Sequence, residues 1–126
     1  MPVFPEKYIE FVALFNKQKF FEAHEALEAE WRHEQGKNDF YKGLIQLAAV
    51  LVHVQRFNFQ GAGNLILTAE RNLAPYFPDY QGIEVKKLCE EVKSSVISAG
   101  SCGTGPVNVS FPIITLAGSK KGDTRL

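Results

Sequence analysis

The segment FFEAHEALEAEW contains residue types that are able to do chemistry. His24 and Glu25 begin like the zinc-binding motif H-E-x-x-H, in which two histidines hold a metal ion and the glutamate acts as a base. Here Glu28 occupies the position of the second histidine. Because residues four apart lie on one side of a helix, His24 and Glu28 are able to share a metal ion, a proton or a hydrogen bond. The segment therefore allows three interpretations: a metal site, an acid–base site, or a polar patch that holds helices together.

A second pair of polar residues interrupts the apolar segment KGLIQLAAVLVH. Gln46 and His53 are seven residues apart and lie on one helical face. The segment is apolar nearly all round, which predicts a central helix. Since an unsatisfied buried polar group costs roughly 1–3 kcal/mol, both side chains need partners. We expect them to face His24, Glu25 and Glu28 across the interface between two neighbouring helices.

Two kinds of site fit these residues. The structural interpretation is a hydrogen-bonded polar core in which His24 pairs with Glu28, and Gln46 pairs with His53. The alternative is a metal-dependent hydrolase in which His24, Glu28 and His53 hold zinc or iron and Glu25 activates a bound water molecule. A di-iron site needs Glu-x-x-His on two helices, and the sequence has His-x-x-x-Glu once. We favour the structural interpretation, with no cofactor, over the metal site.

Apolar residues recur with helical periodicity in five segments. Pro5 suits the first turn of the first helix, and Gly36 suits the stop after the second. Asn38 or Asp39 is a natural cap for the third. Gly61, in NFQGAG, predicts a tight turn before the fourth. The predicted helices cover about residues 5–16, 19–35, 39–57, 62–73 and 83–97.

Packing residues accompany the polar ones. Trp31 shares a helical stripe with Phe20 and Leu27, so we expect it to be mostly buried. Gly43 and the pair at 48–49 are small enough for another helix to approach the third helix closely. Trp31 therefore joins the five polar residues as a candidate functional cluster, which consists of His24, Glu25, Glu28, Trp31, Gln46 and His53.

The composition changes after residue 99. Residues 100–126 hold five glycines and two prolines and lack helical periodicity. We therefore expect one helical bundle domain over residues 1–100 and an extended tail over 101–126, which packs on the bundle or frays from it. The segment FPIITL within the tail is apolar enough to lie along the bundle or to pair as a short edge strand.

Charge and composition exclude several classes of protein. The 126 residues include 14 basic and 14 acidic side chains, so the chain offers no basic face for nucleic acid. The longest apolar run, LAAVLV, is far too short to cross a bilayer, and the first residues do not resemble a signal peptide. Cys89 and Cys102 make no disulfide framework. We expect a cytoplasmic protein with two ordinary thiols.

Three motifs in order, FFEAHEALEAEW, KGLIQLAAVLVH and NFQGAGNLI, resemble the domain of unknown function 309 family. The resemblance covers about residues 15–73 and leaves out the tail after Gly100. It implies a compact all-α bundle, and it implies no activity because the family's name records none. The matching positions are Glu22, His24, Glu25, Leu27, Glu28, Trp31, Gly43, Leu44, Ile45, Gln46, Ala48, His53, Asn58, Gly61, Ala62 and Leu65.

The aromatic content favours a binding role. Ten phenylalanines are many for this length, and we expect the first helix and residues 74–80 to leave aromatic side chains exposed. Exposed apolar patches mark partner sites or homodimer faces. We therefore rank a small helical scaffold or binding protein above the metal-dependent hydrolase.

Overall fold

The computed structural model describes residues 4–101 and 111–116, and its helices confirm the predicted all-α bundle. Within these residues the only bridge of β type joins Tyr80 to Ile83. No helix in the described part of the chain is both long and apolar enough to span a membrane. The helices are α1 (Glu6–Asn16), α2 (Phe20–His33), α3 (Asp39–Gln55), α4 (Phe59–Leu73) and α5 (Val85–Ser101), with a 3-10 turn at Ala74–Tyr76.

Helices α1, α2 and α3 end in the same way. The second residue after each of these helices adopts the left-handed conformation: Gln18 at φ 63°, Gln35 at φ 64° and Phe57 at φ 60°. The next N–H group then bonds back to the last turn, as Gly36 N donates to Trp31 O at 2.9 Å. This pattern is the Schellman motif, which satisfies carbonyl groups that a helix end leaves free. The predicted stop at Gly36 is confirmed, although the left-handed conformation begins one residue earlier.

The start of α4 differs from the prediction. The helix begins at Phe59, three residues before the predicted start, so Gly61 lies inside the first turn. Asn58 caps the helix, since its Oδ1 accepts a hydrogen bond from Gly61 N at 3.1 Å. A Cβ atom at position 61 would lie 2.5 Å from Asn58 Nδ2. Glycine therefore leaves room here for the capping side chain and is not needed for a turn. Asn38 caps α3 as predicted, and its side chain accepts from Tyr41 N.

Helix α3 is central, as its apolar pattern predicts. It packs against α2, α4 and α5, and its residues Leu44, Leu47 and Leu51 are fully buried. At Gly43 a Cβ atom would lie 2.4 Å from Leu73 Cγ at the end of α4. The absence of a side chain at Gly43 thus lets the end of α4 approach α3, as the sequence predicts.

Residues 111–116 run along the bundle in extended form. Ile114 and Leu116 are buried, whereas Ile113 between them is 65% exposed. Asn16, at the end of α1, donates through Nδ2 to Ile114 O at 2.8 Å and accepts from Ile114 N at 2.7 Å. The Phe111 ring lies 5.3 Å from the Phe20 ring. Of the two expectations for FPIITL, the structure shows the first, packing along the bundle; residues 102–110 and 117–126 of the predicted tail lie outside the described residues.

Candidate binding face

Helical spacing places five of the six predicted site residues on two stripes, one on α2 and one on α3, and Glu28, Trp31 and Gln46 of these stripes lie together. On α2, His24, Glu28 and Trp31 recur at helical spacing and are half-buried. On α3, Gln46 and His53 are also half-buried and lie on one stripe. We call these five residues, together with Lys42 and Ala49 of the same α3 stripe, the α2–α3 face. These side chains lie at the edge of the helix interface and not in the core. The polar side chain that is buried among the described residues is that of Ser95, which is not part of this face.

A groove opens at one end of the α2–α3 face. It encloses about 170 Å³, with the Trp31 ring and Ile45 as apolar walls. Glu28, Lys42 and Gln46 supply its polar edges. Trp31 packs against the core with only part of its surface exposed, in agreement with the expectation, and it also lines this groove. The helical period identifies the side of a helix on which a residue lies, but not how far the neighbouring helix covers it.

Backbone geometry fixes the position of the Trp31 ring. A Cβ atom at Gly36 would lie 3.3 Å from Trp31 Cζ2, so the Gly36 backbone packs against the edge of the ring. The same glycine bonds to the Trp31 carbonyl group in the motif that ends α2. Trp31 Nε1 is buried and has no hydrogen-bond partner among the described residues. A buried N–H group without an acceptor costs free energy, so another part of the structure must offset this cost.

The charges at the groove have opposite signs on the two helices. Glu28 Oε1 lies 3.1 Å from a guanidinium nitrogen of Arg32, and the Glu28 side chain is 31% exposed. Lys42 is exposed on α3 and forms no ion pair with the described residues. The groove therefore has an apolar interior, a carboxylate on one side and a free ammonium group on the other.

The hydrogen bonds of the face differ from those expected. Gln46 Oε1 accepts from Asn72 Nδ2 of α4 at 2.7 Å, so its partner is not His53. His53 Nδ1 lies 2.9 Å from Asn58 Nδ2, and the amide can only donate, which places the His53 proton on Nε2. The expected pairing of Gln46 with His53 is therefore wrong. Gln46 is instead bonded to a residue of α4, and His53 is bonded to the residue that caps α4.

His24 lies toward the other end of the face. Its ring stacks on Phe21 at 5.8 Å between centroids, and the Phe21 ring lies 5.7 Å from the Arg56 guanidinium carbon. His24 Nδ1 is buried without a hydrogen-bond partner among the described residues, so the expected pairing with Glu28 is not formed through this atom. Arg56 thus connects the start of α2 to the end of α3, a contact between exposed residues that periodicity does not predict.

The alternative metal site is not favoured by this geometry. Glu25 is exposed, Glu28 pairs with Arg32, and His53 bonds to an amide. No group of three histidine, cysteine, aspartate or glutamate side chains comes close enough to hold a metal ion in residues 4–101 and 111–116. The set of His24, Glu28 and His53 therefore does not assemble as ligands.

The exposed aromatic residues are not those expected in α1. Tyr8, Phe11 and Phe15 are all fully buried, because α1 turns its aromatic stripe into the core. Phe21 and Phe57 are 46% and 59% exposed instead. Within residues 74–80 the expectation agrees with Tyr80, which is 43% exposed.

The side chains whose pKa values are shifted lie in the core and not at the groove. Burial raises the pKa of Tyr8, whose hydroxyl donates to Gln81 O at 2.7 Å, and burial also raises the pKa of Tyr41. Burial raises the pKa of the Cys89 thiol to about 12. Cys89 is 1% exposed, so this thiol is a core residue, as its place on the apolar side of α5 predicts.

The fold and the face define a small all-α domain with a groove of side-chain size. The model of the family Domain of unknown function (DUF309) matches residues 8–65 of the chain. The match spans α1 to α3 and the first part of α4, and it confirms the resemblance inferred from the three motifs.

One curated relative is the Uncharacterized protein YpuF of Bacillus subtilis (strain 168). It is 35% identical over 74 residues, which are 56% of this chain and 42% of that protein. The chain therefore spans less than half the length of this relative. No solved structure matches the chain. Neither the family nor the relative has an assigned activity, so the function must be argued from the face itself.

Proposed function

We propose that the domain is a protein-recognition module that takes one apolar side chain of a partner chain into the groove beside Trp31. The observation that carries this proposal is an open groove with apolar walls and polar edges, lined by Glu28, Trp31 and Gln46 of the family motifs. Protein interfaces have the same arrangement, in which a central apolar anchor fills a pocket and a polar rim surrounds it.

The size of the groove favours a side chain over a cofactor. Pockets for drug-sized ligands and cofactors enclose about 300–1,000 Å³. The groove has a volume of about 170 Å³ and is open along one side, so its size suits one large apolar side chain. Glu28 and Lys42 at its edges are then placed to contact polar groups of the partner backbone next to the inserted residue.

The groove is organised before a partner arrives. Gly36 holds the Trp31 ring, Asn72 holds the Gln46 amide, and Arg32 holds the Glu28 carboxylate. Ordering a mobile side chain on binding costs about 0.5–1.5 kcal/mol. Because these three side chains already contact neighbouring residues, part of this cost is met during folding.

We further propose that the chain acts in the cytoplasm and does not bind nucleic acid. The zero formal net charge supports the second part, since a nucleic-acid interface needs clustered basic residues. The free thiol of Cys89, held in the core, suits a reducing compartment.

Apolar side-chain analogues test the groove directly. Trp31 is the only tryptophan, so its indole N–H gives one assigned signal in a ¹H–¹⁵N spectrum. Titration with toluene, p-cresol or indole should shift this signal and that of Ile45 in a saturable way. Gln46→Phe should abolish the shift, because the new ring fills the groove.

Asn72→Ala provides the matched control for this experiment. It removes the same Gln46–Asn72 hydrogen bond as Gln46→Phe, but it adds nothing to the groove. The Asn72→Ala variant should therefore still respond to the analogues. Equal loss of response in both variants would show that the hydrogen bond and not the groove was measured. Shifts spread over the whole core, with none larger at Trp31, would refute the proposal.

A further inference from the structure

The segment 111–116 is held as a bound peptide would be. Asn16 makes both of its hydrogen bonds to the main chain of Ile114 and none to a side chain. Burial alternates along the segment, with Ile114 and Leu116 inward and Ile113 and Thr115 outward. An amide that pairs with the N–H and the C=O group of one residue recognises extended backbone, while alternate pockets recognise side chains, as in known modes of peptide recognition.

The segment occupies a groove between α1 and α5. On the α1 side, Ile9, Val12 and Asn16 border about 470 Å³ of open space beside residues 113–116. On the α5 side, another space of about 410 Å³ lies beside residues 111–113. Neither helix closes over the segment. The segment thus lies beside open space at both helices, while its inward side chains Ile114 and Leu116 join the hydrophobic core.

We propose that this groove binds peptides with apolar residues at alternate positions, and that the 111–116 segment of a second copy of the chain occupies it in exchange. The segment of a second copy makes the same contacts as the native one, so exchange costs no contact in the bound state. Nine residues, 102–110, separate the end of α5 from the segment, enough to span up to about 30 Å. This inference does not depend on the groove at Trp31.

Each segment is covalently joined to its own groove through the chain, and this connection opposes exchange between copies. A segment on a short linker competes at an effective concentration in the millimolar range. Wild-type chain at micromolar concentration should therefore be monomeric, with each segment in its own groove. Exchange becomes visible when one chain has a defective segment and another has a defective groove.

Two single variants separate the segment from the groove. Ile114→Asp places a carboxylate where the side chain is 4% exposed, which releases the segment but leaves the groove intact. Asn16→Asp has the shape of asparagine but has no proton to donate to Ile114 O, which disables the groove. Each variant alone should sediment as a monomer. An equal mixture should contain a heterodimer, in which the intact segment of one chain fills the intact groove of the other.

The neighbouring residue gives the matched control. Ile113 is 65% exposed, so Ile113→Asp adds the same charge to the same segment without releasing it. A mixture of Ile113→Asp with Asn16→Asp should remain monomeric. Far-UV circular dichroism confirms that each variant retains its helices. If the mixture of Ile114→Asp and Asn16→Asp forms no heterodimer, the proposal that a second copy occupies the groove is refuted.

A synthetic peptide tests the groove without a second copy. A labelled peptide of sequence FPIITL should bind the Ile114→Asp chain. It should bind at least about tenfold more weakly to the chain that carries both Ile114→Asp and Asn16→Asp, because the hydrogen bond to the main-chain carbonyl group is lost and a carboxylate faces that carbonyl oxygen instead. Equal affinity for the two chains would overturn the role of Asn16. No binding to Ile114→Asp would overturn the peptide groove itself.

Discussion

Because Gly43 packs closely against Leu73, we expect Gly43→Ala to lower the free energy of unfolding. A change from glycine to alanine inside a helix usually raises it. Alanine in a helix interior is favoured over glycine by about 0.5–1 kcal/mol. At Gly43, however, the new Cβ atom would lie 2.4 Å from Leu73 Cγ and 2.6 Å from its Cδ2. Leu73 is fully buried, so it has no free space into which to move. Overpacking of this kind typically costs about 1–3 kcal/mol.

A matched glycine separates the two effects. Gly63 also lies within a helix, and a Cβ atom there would meet nothing within 4 Å. Gly63→Ala should therefore stabilise the domain by about 0.5–1 kcal/mol. Because the gain in helix propensity is shared, the difference between Gly43→Ala and Gly63→Ala isolates the overpacking, about 1–3 kcal/mol. Urea denaturation at constant m-value measures both changes.

A third variant tests the cause. Leu73→Ala removes the atoms that the new Cβ would meet, so Gly43→Ala made in that background should no longer be costly. The coupling free energy in this double-mutant cycle should be as large as the overpacking cost. If Gly43→Ala stabilises the wild-type chain as much as Gly63→Ala does, the close approach of α3 and the end of α4 is refuted.

Three further predictions concern helix ends and titration. Gln18→Gly and Gln35→Gly should each stabilise the domain by about 0.5–1 kcal/mol, because glycine adopts a positive φ without strain; urea midpoints that fall would refute this. Gly61→Ala should displace the Asn58 amide and cost about 1 kcal/mol, and its effect should not add to that of Asn58→Ala, as a double-mutant cycle would show. Cys89 should resist thiol reagents at about pH 8 in the folded chain, as peptide mass spectrometry would show. Since burial raises the Cys89 pKa from 9.0 to about 12, its contribution to stability is present below pH 9 and is lost as pH rises toward 12.

The helices were predictable because their signals are local. Apolar spacing located all five, and Asn38 was identified as a cap because its side chain acts within one turn. The start of α4 was missed because Gly61 and Gly63 resemble a break. The two glycines are tolerated there because Asn58 caps the helix and fills the space beside Gly61.

The partners of the polar residues were not predictable in the same way. Gln46 pairs with Asn72, which lies 26 positions later on α4, so the pairing depends on the register between two helices. Periodicity gives the face of each helix but not this register. Lys42 was not identified as part of the face, since the residue type alone does not separate an exposed lysine from other surface charges. The signal that could have located it is its place four residues before Gln46 on the same stripe.

The contact between Asn16 and Ile114 forms late in the synthesis of the chain. The two residues are 98 positions apart, so their hydrogen bonds close a loop that contains most of the described chain. A ribosome adds about 5–20 residues per second, which separates the two residues by roughly 5–20 seconds. During this interval α1 has been made, but its extended partner has not. The nascent chain therefore carries an unfilled groove until residues 111–116 have been made.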